Sequence, residues 1–381
     1  MVQVRKLLFT VHLWVGVVLC LLLVPLGLSG VVLQWPEAVN AAFNAPPRAG
    51  AAPAALLPAA YFDAARAALP EGARLQSLRL PKAPGEAVTV TAAAARPGPG
   101  RGQTVWMEPV SARVLKVGSP ASALFRLSHD FHETMLIEGA GRQIVGYLGI
   151  ALLLLSLSGL WLWWPRGAFT SGFRWKRTPD TLMNLHHLAG FWIALPLAFV
   201  SLTGIGLAFP KVTAAIFGAP AGFGPPGGFG PPGGGGRGPG GGGAPYVPIL
   251  SPNDAAALAI AAHPEARLAA VTLPGVRQPG PPQAGPGAPQ AWRVELVDAG
   301  KPVTVRVGDA DRAVSDAPPA GPRPGPRGAQ GLIRSLHEGE GGPIWKWIVT
   351  LTGVIPLLMA VTGVTAWLRA EARKRRARAA A

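Results

Sequence analysis

Histidine is the residue whose placement in this chain most clearly suggests chemistry. There are seven: His12, His129, His132, His186, His187, His263 and His337. His263, followed by Pro264, reads as an ordinary polar residue. The other six fall at the ends of four long apolar stretches and sort into two groups. His12 and His186/His187 form one, and His129/His132 and His337 form the other. Each group draws on two segments. Iron in a haem takes axial ligands on opposite faces of the ring, so two such groups suit two bis-histidine haems stacked across a bilayer. With both axial positions filled, the iron carries electrons and offers no open site to a gas. The chain has no Cys-x-x-Cys-His, which points to non-covalent haem b. A single interfacial histidine would more simply bond a lipid headgroup, but the pairing favours ligation.

Internal repetition narrows the choice within each group. His12-x-x-x-Gly16 leads to Ser29-Gly30, and His186-x-x-x-Gly190 leads to Thr203-Gly204, with 18 residues from histidine to the later glycine in both. His132-Glu133 leads to Ser158-Gly159 and His337-Glu338 to Thr362-Gly363, at intervals of 27 and 26. His186 therefore matches His12 and is preferred to the alternate His187. His132 matches His337 and is preferred to the alternate His129, although a helix would put His129 and His132 on one face. Gly16 and Gly190, one turn beyond a histidine, would leave room for a flat macrocycle. Tryptophans 14, 35, 163, 164, 345, 347 and 367 gather at the segment ends and read as an aromatic belt.

The elements that must position these residues are membrane helices. Only 14% of the residues are charged, and the mean hydropathy is +0.30. A soluble domain carries about 25% charged residues. The apolar residues lie in four blocks, and the spans are expected at 8–34, 143–164, 186–209 and 343–368. Each supplies the roughly 20 residues that cross about 30 Å of hydrocarbon. Lysine and arginine set the orientation: Arg5 and Lys6 lie in a tail at 1–7, Arg166, Arg174, Lys176 and Arg177 in a loop at 165–185, and six more bases in a tail at 369–381. Against these stand Asp180 and Glu371, so the sequence places both termini in the cytoplasm of a bacterial inner membrane. The bases flank apolar helices and form no nucleic-acid face, despite a formal charge of +16. The first span is too long for a signal-peptide core. The single Cys20 sits within it, so no disulfide framework is expected.

Two loops between spans are long enough to fold, and both are expected in the periplasm. Each reads as a short helix followed by alternating, strand-like segments, giving two α+β modules at 56–117 and 250–316, each a helix on a three-stranded antiparallel sheet. Residues 119–141 read as an interfacial helix. The segment at 218–245 is nearly all glycine and proline and is expected to be a disordered linker. The fold class is thus membrane α-helical: four helices as a duplicated 2+2 repeat, with two outer α+β modules.

At four segments the chain resembles the PepSY-associated transmembrane (PepSY-TM) family of bacterial inner-membrane proteins. They are VHLWVGVVLCLLLVPLGLSGVVLQW, FHETMLIEGAGRQIVGYLGIALLLLSLSGLWLWWP, NLHHLAGFWIALPLAFVSLTG and LHEGEGGPIWKWIVTLTGVIPLLMAVTG. The resemblance implies PepSY modules outside and a role in iron uptake, since some members are di-haem siderophore reductases. It would assign haem ligation to His12, His186, His132 and His337, and a periplasmic ferric siderophore as electron acceptor. The departures are His187, where the family commonly has a basic residue, and the Gly/Pro insert. No dinucleotide fingerprint is present, so the donor is another molecule, a cytoplasmic reductase or a quinol. A rival reading follows from PepSY modules in protease propeptides: a membrane-anchored binding or regulatory protein acting on periplasmic peptidases, with no cofactor. No triad or HExxH makes the chain itself a hydrolase. No acid lies inside the spans to suggest a transporter. Reporter fusions within 223–244 and after Arg378 are expected to report opposite sides of the membrane; same-side signals would reject this topology.

Overall fold

The computed structural model describes residues 2–93, 102–164, 178–217, 246–276, 290–317 and 328–380. The Gly/Pro linker and Arg166, Arg174, Lys176 and Arg177 lie outside the described residues. The chain divides into two compact units. The first comprises residues 1–37, 127–222 and 326–381, and the second residues 38–126 and 223–325.

Four helices of the first unit are long and apolar enough to cross a membrane: α1 (Val2–Gln34), α5 (Gly141–Trp163), α6 (Thr181–Ala208) and α10 (Pro343–Ala379). These are the four expected spans, longer at several ends. The basic tail is no separate segment but the helical continuation of α10, because its Ala, Arg, Lys and Glu residues are strong helix formers. Asp180 caps α6, accepting from the backbone N–H groups of Leu182 and Met183. Its other oxygen lies 3.7 Å from Arg369 Nη1 on α10.

The backbones of α1 and α10 come close together. A Cβ on Gly27 would come within 2.8 Å of the Gly353 carbonyl, and one on Gly353 within 2.6 Å of the Gly27 carbonyl. In lipid, where apolar burial gives helices little reason to associate, such small-residue contacts supply the packing. Four shorter helices lie next to the spans in the chain: α2 (Pro36–Phe43) after α1, α4 (Ala123–Thr134) within the expected interfacial segment, α7 (Pro210–Phe217) after α6, and α9 (Gly328–His337) before α10. Gly141 admits the tight turn from α4 into α5, since a Cβ there would overlap the Thr134 carbonyl.

The second unit repeats one order of elements. Helix α3 (Pro58–Ala68) precedes β1 (Arg74–Arg79), β2 (Val88–Ala93), β3 (Gln103–Met107) and β4 (Val114–Gly118). Helix α8 (Pro252–Ala262) precedes β5 (Arg267–Thr272), β6 (Ala291–Asp298), β7 (Lys301–Gly308) and β8 (Val314–Asp316). Each module therefore has a fourth strand beyond the three expected. Nor are the modules separate domains. They form one eight-stranded antiparallel sheet, β4-β3-β2-β1-β5-β6-β7-β8, joined where Ser77, Leu78 and Arg79 pair with Thr272, Val271 and Ala270.

The physical reason for the merger is size. A module of about 60 residues buries too small a fraction of its surface to be secure alone. Joining removes two open strand edges and unites two half-cores into one. Leu78, Val88, Val90 and Val105 share a continuous cluster with Val271, Val294, Leu296 and Val305, under Tyr61, Phe62 and Ala65 of α3 and Ala255 and Ala259 of α8. The N–H of Ala59 also donates to Asn253 Oδ1 across the join, at 2.9 Å.

One buried carboxylate fastens the chain returning from the linker. Asp309 accepts from Tyr246 Oη at 2.5 Å, from the Ile249 and Leu250 N–H groups at 2.7 and 3.0 Å, and from Trp292 Nε1 at 2.7 Å. Burial pushes its pKa up, but these bonds outweigh burial and hold it below the ordinary carboxylate value. A depressed folded-state pKa means the contribution is complete above about pH 4 and is lost as pH falls through the lower folded value. Asp309→Ala leaves the tryptophan and backbone donors unpaired. It is expected to cost this unit about 3 kcal/mol, measured as a lower thermal midpoint of the full chain, with the gap to wild type narrowing in acid.

Candidate functional site

The four preferred histidines rest against neighbouring helices in one recurring way. His12 of α1 lies with Nδ1 2.9 Å from Ser158 Oγ on α5, and its Cε1 would be 3.2 Å from a Cβ on Gly159. His186 of α6 repeats this on α10, with Thr362 Oγ1 at 2.9 Å and Gly363 at 3.3 Å. His132 of α4 meets Ser29 Oγ of α1 at 3.1 Å and Gly30 at 3.0 Å. His337 of α9 meets Thr203 Oγ1 of α6 at 3.1 Å and Gly204 at 3.0 Å. Every histidine thus sits on a hydroxyl residue followed by glycine. The hydroxyl holds Nδ1, and the missing Cβ lets the ring lie close to the helix backbone.

The proton positions follow from the network. Ser29 donates to the Leu26 carbonyl at 2.7 Å, Ser158 to Leu155 at 3.1 Å, Thr203 to Val200 at 2.8 Å and Thr362 to Leu358 at 2.8 Å. A hydroxyl has one proton, so with that proton committed its oxygen can only accept from the imidazole. The Nδ1 of His132 also points at the Leu26 carbonyl at 2.9 Å, and that of His337 at the Val200 carbonyl at 3.1 Å. A carbonyl can only accept. The carbonyls put the proton of His132 and His337 on Nδ1, and the same tautomer is assigned to His12 and His186 with each hydroxyl proton kept within its own helix. Among the described residues none of the four uses Nε2 in a hydrogen bond, so that lone pair is available to a metal.

The rings of His132 and His337 lie with centroids 6.2 Å apart and planes at 45°. Imidazole nitrogen bonds a transition metal at about 2 Å. Two such bonds in line, with each centroid roughly 1 Å behind its nitrogen, need a separation of about 6 Å. Burial pushes His337 down to about 4, helped by the nearby His132, and lowers His132 as well. Both are neutral at physiological pH, the form that ligates. His12 and His186, from α1 and α6, lie within electrostatic range of each other.

The alternates are placed differently. His129 is buried beside carboxylates, Nδ1 3.5 Å from Asp130 and Nε2 3.9 Å from Glu133. His263 bonds Asp316 in the second unit at 2.8 Å. The acids that follow His132 and His337 are both paired with arginine: Glu133 with Arg142 and Glu338 with Arg334 at 3.1 Å. Gly16 faces Leu155 at 4.0 Å and Gly190 faces Met359 at 3.0 Å, so the glycines against the rings are Gly30, Gly159, Gly204 and Gly363. Their role, and that of Ser29, Ser158, Thr203 and Thr362, was missed by sequence reasoning. The signal was present in four Ser/Thr-Gly pairs, which served there only to mark a repeat. The tryptophans cluster as expected, Trp14 against Trp367 at 5.9 Å and Trp35 against Trp347 at 4.9 Å.

Comparison with protein families matches residues 9–370 to the PepSY-associated TM region. The chain belongs to the PepSY-associated TM family. Among curated proteins none matches it significantly. The family match and the four apolar helices make the chain a multi-pass membrane protein.

The contacts of this family member give a graded test. A methyl at Gly204 must displace His337, whereas one at Gly16 meets Leu155 at ordinary contact distance. Gly204→Ala is expected to lower stability by about 1–3 kcal/mol, as overpacking does, and Gly16→Ala to leave it nearly unchanged, in thermal unfolding of the purified protein in detergent.

Proposed function

We infer that the chain is a transmembrane electron-transfer protein of the bacterial inner membrane, holding two haem b groups in a duplicated 2+2 arrangement of helices with PepSY-like outer modules. His12 and His186 would hold one haem toward the cytoplasm, and His132 and His337 the other toward the periplasm. The observation that carries this reading is the outer pair: two neutral rings from different helices, 6.2 Å apart, each with Nδ1 bonded and Nε2 uncommitted.

Iron with both axial positions filled supplies one-electron transfer without an open ligand site. The residues of the chain do the rest. The Ser/Thr hydroxyls orient the imidazoles, the glycines let them approach, and the apolar helices keep water away. Electrons would enter from a cytoplasmic reductase or a quinol and leave to an acceptor in the periplasm. Ferric iron in a siderophore is the acceptor that family likeness favours, because reduction to the ferrous state weakens its hold in hard oxygen ligands.

Absorption spectra of the purified protein, oxidised and then reduced with dithionite, are the first test. Wild type is expected to bind about two low-spin haems per chain. His12→Ala or His186→Ala removes or disturbs one. His132→Ala or His337→Ala disturbs the other and abolishes reduction of an external ferric acceptor. Haem-free wild type, expressed with ample haem, would reject this function and put the peptidase-regulating alternative ahead.

A further inference from the structure

We propose that Ser29, Ser158, Thr203 and Thr362 are positioning residues that fix the ring plane and tune the electron donation of the four axial histidines, with main-chain carbonyls backing the hydroxyls at one site more than at the other. The inference rests on the electron-transfer reading and extends it to residues that touch no cofactor themselves.

The four seats are alike in the hydroxyl and unlike in what stands behind it. Among the described residues, His12 has the Ser158 hydroxyl as its Nδ1 partner, at 2.9 Å. His186 adds to Thr362 a looser approach to the Met359 carbonyl. At the other site both histidines have two acceptors at bonding distance. His132 shares its proton between Ser29 at 3.1 Å and the Leu26 carbonyl at 2.9 Å. His337 shares its proton between Thr203 and the Val200 carbonyl, both at 3.1 Å. A carbonyl is an acceptor that no side-chain substitution removes.

An imidazole that donates strongly through Nδ1–H pushes more electron density out through its ligating nitrogen. That favours the ferric state and lowers the midpoint potential. The hydroxyl also selects one rotation of the ring, because the bond is made in one plane. Removing it should therefore matter most where nothing else holds the proton. Ser158, behind His12, is that place. Ser29, behind His132, is the opposite case, since the Leu26 carbonyl remains.

The comparison of Ser158→Ala with Ser29→Ala is thus decisive, for the chemical change is the same in both. In full-length protein that keeps two haems, potentiometric titration of Ser158→Ala is expected to show the His12/His186 midpoint raised. Its low-spin ferric EPR signal should also be shifted or broadened. Ser29→Ala should move the other midpoint clearly less. Ser158→Thr, which restores the hydroxyl, should return both readouts toward wild type.

Unchanged midpoints in Ser158→Ala, or an equal shift from Ser29→Ala, would overturn the proposal. Should Ser158→Ala lose a haem, retention by Ser158→Thr supports the hydroxyl, and loss in both variants points to size alone and overturns it. Haem-free wild type rejects the electron-transfer reading instead. The tautomer can then still be judged, since nitrogen-15 shifts reporting protons on Nε2 would contradict the seats themselves.

Discussion

A hydroxyl inside a membrane bundle has no water to bond, and the nearest strong acceptor is a carbonyl of its own helix one turn back. Ser29, Ser158, Thr203 and Thr362 all send their proton there. From that local constraint the candidate sites follow. The oxygen turns its lone pairs outward, the facing imidazole must donate through Nδ1, and Nε2 is left as the free nitrogen. The glycine that follows each hydroxyl residue brings the ring against the backbone. The histidine comes from one element and its seat from another, so each contact also ties two helices together. Imidazole orientation and helix packing are set by the same four contacts.

The second unit solves a different problem, that of too little core. Neither module has a disulfide, and neither could bury enough apolar surface to be secure. Pairing β1 with β5 merges both into one eight-stranded sheet over a common core. Asp309 then anchors the chain arriving from the Gly/Pro segment, using four donors where a lone buried carboxylate would be costly. Both loops contribute strands to this one sheet, so they must lie on one side of the membrane.

What was legible in the sequence was what local pattern and composition control. Blocks of apolar residues bounded by charge gave the spans, and alternation as in Val303, Val305 and Val307 gave strands. The shared His-Glu ranked His132 above His129, and the repeat position of His12 ranked His186 above His187. The seats themselves were out of reach, because His12 rests on α5 and not on its own helix, and nothing local says which helices are neighbours. The join of β1 to β5 was hidden for the same reason. Strand β8 is three residues long, too short for any period to show. Asp309 looked like one more loop acid until its four donors converged on it.

The join between β1 and β5 also imposes an order in time. In the chain these strands are separated by α5 and α6, two of the four membrane-crossing helices. As synthesis proceeds, the first module emerges with one edge of β1 unpaired and its share of the core uncovered. It must wait in that condition while two helices are inserted and the second module is delivered to the same side. Completion of the sheet thus reports that the middle helices have gone in. A chain in which they failed would keep a bare strand edge and an open apolar face, the features by which proteases and chaperones recognise an unfinished protein.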